Sequence, residues 1–357
     1  MANIFSSRNE NSILKDERFL YPDFVPEMIP FREQEISEVV FCLKPASLGK
    51  KPTNIFVFGK PGTGKTVTLK YVLNELTEFS DRTKCLYINC FENNSRHAIL
   101  AKATNFLGYP VPSRGIGSEE IFDRFVAVIK SKRIVPVFVF DEAEQLLKTD
   151  ESKKLLYDLS RLNEQYKIFI GLAFISNDEL FLSLLDERVR SSLHASSIGF
   201  EKYSPIELKQ ILKDRAKYAF FENTLDEDVI PLCAAHAAKS GDARIAIDVL
   251  LKAARFAEKE NSKKVSVNHV RSAFMQEKPV KVEITSNLTE QEKVILDFIS
   301  DKEYDSGEIY RALKQKFAER TLRKAISEME KKGLIKTKKV IKGKGFTRSI
   351  SRSSAKK

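Results

Sequence analysis

Gly59-Lys60-Pro61-Gly62-Thr63-Gly64-Lys65-Thr66 stands directly behind the apolar run Ile55-Phe56-Val57-Phe58. A strand that runs into G-x-x-x-x-G-K-T and on into a helix is a phosphate-binding loop. It points to an α/β fold with a parallel sheet. A polyphosphate needs many donors in a small space, so glycines let successive backbone N–H groups converge on it while the next helix presents its positive end. Gly59, Pro61, Gly62, Thr63, Gly64, Lys65 and Thr66 are therefore candidates for holding ATP or ADP, with Lys65 reaching the β/γ-phosphates and Thr66 holding Mg²⁺. Val67, Leu69, Val72, Leu73 and Leu76 give the following segment one apolar helical face.

Four more strands are expected downstream: Cys85 to Asn89, Ile134 to Phe140, Ile168 to Ile175 and Ser196 to Phe200. Helices are expected from Ser95 to Gly108 and from Ser118 to Ile129, the latter with Ile121, Phe122, Phe125, Val128 and Ile129 on one face. The strand at Ile134 runs into Asp141-Glu142. Two acids at that end suit a Mg²⁺-dependent ATPase, Asp141 orienting the metal through its water shell and Glu142 polarising the attacking water. The same pair could simply open a helix. Asn177, just past the next strand, could bond the γ-phosphate or the water, or serve as a turn or cap residue. Arg188 and Arg190 could reach a neighbouring subunit's site or form surface ion pairs.

From Ser204 to Met275 only helices are expected. Ser204-Pro205-Ile206-Glu207 is a capping box with proline at the first helical position. Ser240-Gly241-Asp242-Ala243-Arg244 starts another helix, with Asp242 as its cap and Ile245, Ile247, Val249, Leu250 and Leu251 as its apolar positions. Arg244 in a first turn opposes the helix dipole, a placement that suits phosphate binding.

The length of 357 residues implies two or three domains, and 42% hydrophobic with 31% charged residues implies a folded chain. No apolar run approaches the roughly 20 residues that span a bilayer, and Met1 to Asn11 lacks a signal peptide's apolar segment, so no membrane and a cytoplasmic, nucleoid-associated location are expected. Cys42, Cys85, Cys90 and Cys233 have no C-x-x-C spacing, and buried thiols are expected rather than disulfides or zinc. Leu288 to Lys357 carries 19 Lys and Arg against 10 Asp and Glu, leaving the rest of the chain nearly neutral. A basic module on a neutral body points to a polyanion partner.

Within that module Thr289-Glu290-Gln291-Glu292 caps a helix carrying Val294, Ile295, Phe298 and Ile299, a second helix runs from Ser306 to about Phe317, and a third from Glu319 to Lys332 ends at Gly333. In the third, Leu322, Ala325, Ile326 and Met329 face the core, while Arg320, Arg323, Lys324 and Ser327 face outward. Leu334 to Ile341 and Phe346 to Ile350 then form a hairpin around Lys342-Gly343-Lys344-Gly345. Three helices and a basic hairpin make a winged helix-turn-helix, in which Arg320, Arg323, Lys324, Lys342, Lys344 and Arg348 are candidates for DNA contact.

Together the loop at Gly59, Asp141-Glu142, Asn177, Arg188 and Arg244 look like Walker A, Walker B, sensor 1, arginine finger and sensor 2 of an AAA+ ATPase. Within that superfamily the chain resembles the archaeal replication initiators, relatives of the origin recognition complex's largest subunit and of the Cdc-six type helicase loader. The cues are Pro30-Phe31-Arg32-Glu33-Gln34, the string from Leu185 to Leu193, and Ser240 to Arg244. The resemblance implies that Pro30 and Arg32 lie near the adenine and that the insertion around Ser118 to Ile129 touches DNA. Glu187 stands where a proline is common, and Arg188 matches the finger position better than Arg190. The expected organisation is an arm (1–24), an AAA+ α/β subdomain (25–203), a helical lid (204–276), a linker (277–287) and a winged helix (288–357). The resemblance implies a weak ATPase that binds double-stranded origin DNA and recruits the replicative helicase, with self-association or a paralogue on DNA. A nucleotide-regulated transcription factor and an AAA+ ATPase with a protein-docking winged helix are the rival readings.

Overall fold

The parallel sheet owes its position to an alternation that can be read residue by residue. In this computed structural model, which describes residues 12–112, 115–276, 289–299, 304–314, 316–331, 335–342 and 345–352, the strands are β1 (Ile55–Gly59), β2 (Cys85–Asn89), β3 (Val137–Asp141), β4 (Gly171–Ser176) and β5 (Ser196–Phe200), in the order β2-β3-β4-β1-β5. All neighbours are parallel. Ile55, Val57, Val137, Val139, Ala173 and Ile175 point to one face, where α1 (Glu33–Ser47) and α2 (Lys65–Phe79) bury Val39, Leu43, Leu69 and Val72 against them. Their neighbours Phe56, Phe138, Phe140, Leu172 and Phe174 point the other way. There they meet α3 (Arg96–Phe106), α4 (Ser118–Lys132), α5 (Asp150–Ser160), the short α6 (Leu162–Tyr166) and α7 (Glu187–Leu193). With both faces covered, the inner strands β1, β3 and β4 are apolar along most of their length, while the edge strand β5 exposes Ser196, Ser197 and Gly199.

Two strands start later than the sequence implies. Ile134 to Pro136 and Ile168 to Ile170 precede β3 and β4 rather than belonging to them, because Pro136 has no N–H for the ladder, although its carbonyl accepts the Gly171 N–H at 2.9 Å.

The lid comprises α8 (Pro205–Ala219), α9 (Val229–Ala238), α10 (Ala243–Lys259) and α11 (Val267–Gln276). Ser204 and Glu207 form the capping box of α8, and the Asp242 side chain caps α10. Residues 12–24 are not a free arm. Ile13, Leu14 and Leu20 are buried in the lid core, and the backbone of Lys15 donates to Ala219 O at 2.8 Å. Residues 1–11 of the expected arm lie outside the described residues.

A second compact unit begins at Gln276. Its elements are α12 (Glu290–Phe298), β6 (Tyr304–Asp305), α13 (Ser306–Leu313), α14 (Glu319–Lys331), β7 (Ile335–Lys342) and β8 (Gly345–Arg352), with sheet order β6-β8-β7 and both pairs antiparallel. Thr289 and Glu292 cap α12, and Ile295, Ile309, Leu322, Ile326 and Met329 build the core. The helix at Ser306 stops at Leu313, short of Phe317, and the strand β6 had no sequence signal. The linker 277–287, Gly333, Gly343 and Lys344 lie outside the described residues. No helix among the described residues is long and apolar enough to cross a membrane. Cys42, Cys90 and Cys233 are buried, Cys85 is half-buried, and none of the four is joined in a disulfide.

Asn54 ties α7 to β4 at the amino end of the sheet, opposite the edge that carries the phosphate loop. Its Nδ2 donates to Leu193 O at 2.7 Å and its Oδ1 accepts the Leu172 N–H at 3.0 Å, all buried. Asn54→Ala leaves both backbone groups unsatisfied and is expected to cost about 1–3 kcal/mol. A lower urea midpoint at unchanged slope would show it.

Candidate functional site

The loop after β1 closes around its own lysine. Gly62 and Gly64 have φ of 73° and 94°, and a Cβ at these positions would lie 1.7 Å from Asp242 Oδ1 and 2.5 Å from the Tyr203 hydroxyl. Both glycines are required by backbone conformation and by the close approach of Tyr203 and the lid's Asp242. Lys65 is buried, and its ammonium donates to Gly59 O at 2.8 Å, Lys60 O at 2.9 Å and Asn177 Oδ1 at 3.0 Å. Burial lowers its pKa, an effect opposed by Asp141. α2 starts at Gly64 with no side chain capping it, which leaves its first N–H groups to an anion. Thr63 is buried with its hydroxyl on Lys60 O, and Pro61 lines the cleft. Val67 also lines the cleft instead of the core face, where Thr68 is buried in its stead.

The parallel register brings the acids to the same edge. Asp141 is itself the last residue of β3, level with Ile175 of β4 and Asn89 of β2. Its Oδ2 accepts from Thr66 Oγ1 at 2.8 Å and from the Tyr87 hydroxyl, and its Oδ1 accepts the Glu142 N–H at 2.9 Å. Glu142 adopts a left-handed φ of 54°, uncommon away from glycine. Burial, then the neighbouring Glu144 and Asp141, push its carboxyl up to about 7. Glu144 in turn accepts from Ser176 Oγ at 2.6 Å. Thr66 and Asp141 offer hard oxygen donors with the remaining positions left to water and phosphate, a set that fits Mg²⁺.

A cleft of about 610 Å³ runs from this edge to the lid. Its far wall is apolar and comes from Phe19, Phe24, Ile29 and Pro30 before α1 and from Ile211, Tyr218 and Ile247 of the lid, of which Pro30 alone was expected at the site. Phe19 stacks on Tyr218 at 5.2 Å, and Arg215 donates to Phe19 O and Phe24 O at 2.9 and 3.2 Å. Pro30 lines the cleft, whereas Arg32 lies behind the loop. Its guanidinium is spent on Thr63 O (3.0 Å), Phe31 O (2.8 Å), Glu201 O (2.7 Å) and Glu35 (3.2 Å).

Arg244 lines the cleft from the lid with a half-exposed side chain held by Asp242 at 2.9 Å. Arg188 does not line it: on α7 it is 72% exposed and paired with Asp186 at 3.1 Å. Arg190 is also exposed. In the second unit Arg320, Arg323, Lys324 and Arg348 are exposed, Ser327 is half-buried, and Arg323 is paired with Glu319 at 2.6 Å. Lys342 ends β7. Four residues had no sequence signal: Tyr203 and Arg215 line the cleft, the first beneath the Arg32 guanidinium and the second on the carbonyls of Phe19 and Phe24, while Tyr87 donates to Asp141 and Glu144 accepts from Ser176, partners that only the fold brings near.

Residues 49–178 match the AAA domain family, and residues 209–275 match the Cdc6 AAA+ ATPase-type lid domain family. The chain is 35% identical to ORC1-type DNA replication protein 1 of Sulfurisphaera tokodaii, over 98% of this chain and 92% of that protein. It is likewise 35% identical to the ORC1-type DNA replication protein of Thermococcus kodakarensis, over 95% and 88%. The Aeropyrum pernix ORC1 protein, solved in complex with DNA, superposes with a TM-score of 0.76 at 32% identity over 96% of this chain and 94% of that one. Cdc6p of Pyrobaculum aerophilum shares the fold, with a TM-score of 0.67 at 23% identity over 96% and 95%.

The raised Glu142 carboxyl has a stability consequence. Between its ordinary value near 4.5 and about 7 the native protein holds a proton that the unfolded chain has released, so stability falls as pH rises through that window and levels off above it. Urea midpoints of the nucleotide- and metal-free protein at about pH 5 and about pH 8 should show this fall, and Glu142→Gln should flatten it.

Proposed function

The chain belongs to the family of ORC1-type DNA replication proteins, and from that membership we propose that it is an ATP-dependent replication initiator that binds origin DNA and helps recruit the replicative helicase. The observation that carries the reading is the convergence of Lys65, Asn177, Thr66 and Asp141 at one edge, facing the lid's Arg244 across a single cleft. Nucleotide state can then set the position of the lid.

In this reading the N–H groups opening α2 and the Lys65 ammonium hold the phosphates, and the ammonium exchanges its carbonyl partners for phosphate oxygens. The apolar wall at Phe24, Ile29, Pro30 and Ile211 receives the adenine. Thr66 and Asp141 hold Mg²⁺, which supplies charge neutralisation at the β/γ-phosphates. Glu142 accepts the proton of the attacking water, and Asn177, whose amide oxygen meets Lys65, keeps its amide N–H₂ for the γ-phosphate or that water. Arg188 is exposed and removed from its own cleft, a placement that suits contact with the site of a second copy or paralogue on DNA. An isolated monomer then turns over slowly or retains ADP.

The second unit is read as a winged helix with α14 in the major groove. Arg320, Arg323 and Lys324 of α14, Lys342 of β7 and Arg348 of β8 are the proposed contacts, together with Lys344, which lies outside the described residues. The basic balance of 19 cations to 10 acids supports DNA over protein docking.

Lys65→Ala should abolish ATP and ADP binding in equilibrium titration, whereas Glu142→Gln should bind ATP normally and lose turnover. Normal turnover by the latter would refute the assignment of Glu142 as base. Changing Arg320, Lys324 and Arg348 together to Ala should weaken duplex binding and lower the slope of log affinity against log salt by about 1 for each phosphate that is no longer neutralised. In the host, a genome-wide binding profile with a few sharp peaks at replication start sites would support the initiator, and many promoter peaks would favour transcription control.

A further inference from the structure

Tyr87 sits on β2 level with Val139, and its ring packs along the cluster that α2 covers. From there its hydroxyl reaches the carboxyl edge and donates to Asp141 Oδ2. The same oxygen accepts from Thr66 Oγ1 at 2.8 Å, and Oδ1 is taken by the Glu142 N–H at 2.9 Å. Lys70, one turn after Thr66 on α2, places its ammonium 4.7 Å from the centre of the Tyr87 ring, so the ring is held between the helix and the strand. Burial raises the phenol's pKa, which keeps it a protonated donor.

We infer that Tyr87 is a positioning residue for the divalent cation: its hydroxyl fixes the Asp141 carboxylate in the orientation that Thr66 shares, so that the metal meets a preset pair of oxygens. The inference rests on the reading of Thr66 and Asp141 as the metal's holders. A carboxylate at a strand end can turn about its last torsion. Donors on both oxygens remove that freedom before a cation arrives, and such outer partners typically account for about 10–100-fold in metal affinity. Phenylalanine at this position would keep the packing and the ring beneath the Lys70 ammonium, and would remove only the donor.

The test uses the full chain with a fluorescent ADP analogue and Mg²⁺ as the titrant. In Tyr87→Phe the Mg²⁺ concentration for half-maximal enhancement of analogue binding should rise about tenfold, with analogue affinity in EDTA and the thermal midpoint unchanged. Asp141→Asn is run in parallel and should raise the midpoint at least as much. If Asp141→Asn raises it and Tyr87→Phe leaves it within about twofold, the role of Tyr87 is overturned while the metal site stands. If Tyr87→Phe weakens binding equally with and without Mg²⁺, Tyr87 shapes the cleft alone and the inference is again overturned. If Asp141→Asn leaves the midpoint unmoved, the metal site itself is misplaced and the inference falls with it.

Discussion

Everything around the cleft hangs on the buried guanidinium of Arg32. It is 4% exposed, lies 4.0 Å over the Tyr203 ring, and places its donors on the carbonyls of Phe31, Thr63 and Glu201 and on the Glu35 carboxylate. A cation removed from water is tolerated only when its donors are satisfied together. Its partners come from the entry to α1, the phosphate loop and the exit from β5. None of the three can move alone without leaving that charge short of a partner, so loop conformation and lid attachment are set as one.

The α/β core was legible because its signals are local. The apolar strands, the glycine loop and the capping residues Ser204, Asp242 and Thr289 each declare themselves within a few residues. The edge where Lys65, Asp141 and Asn177 meet was legible for the same reason: Asp141 ends β3, Asn177 follows β4, Lys65 opens the helix behind β1, and a parallel sheet gathers its strand ends along one edge. The apolar wall of the cleft was legible only at Pro30. Phe19 and Phe24 belong to a segment with no periodicity, and their burial depends on Leu14, Leu20 and Arg215 meeting across the lid, a long-range packing event that a local pattern does not encode. The resemblance implied one place for Pro30 and Arg32, yet one residue of backbone turns them in opposite directions: Phe31 between them has a φ of 62°. The short strand β6 forms only because β8 offers it an edge.

The molecule keeps its two kinds of electrostatics apart. At the carboxyl edge, Lys65, Asp141, Glu142 and Glu144 lie in a space that is partly closed to water, where burial and then the neighbouring acids raise the Glu142 carboxyl. In the second unit Arg320, Arg323, Lys324 and Arg348 are exposed, where salt screens each of them. The first arrangement discriminates a compact anion by geometry, and the second attracts an extended one by number.

The segment before α1 packs on the lid and then enters the base at Phe31-Arg32, while β5 leaves the base at Glu201 and enters the lid at Ser204. The lid is thus joined by two chain passages, and Arg32 binds both of them at one point. A body on a single tether can swivel in any direction, whereas one pinned twice at neighbouring points swings like a door. Two neighbouring attachments, tied to each other by one guanidinium, leave the lid fewer ways to move against the sheet than a single tether would.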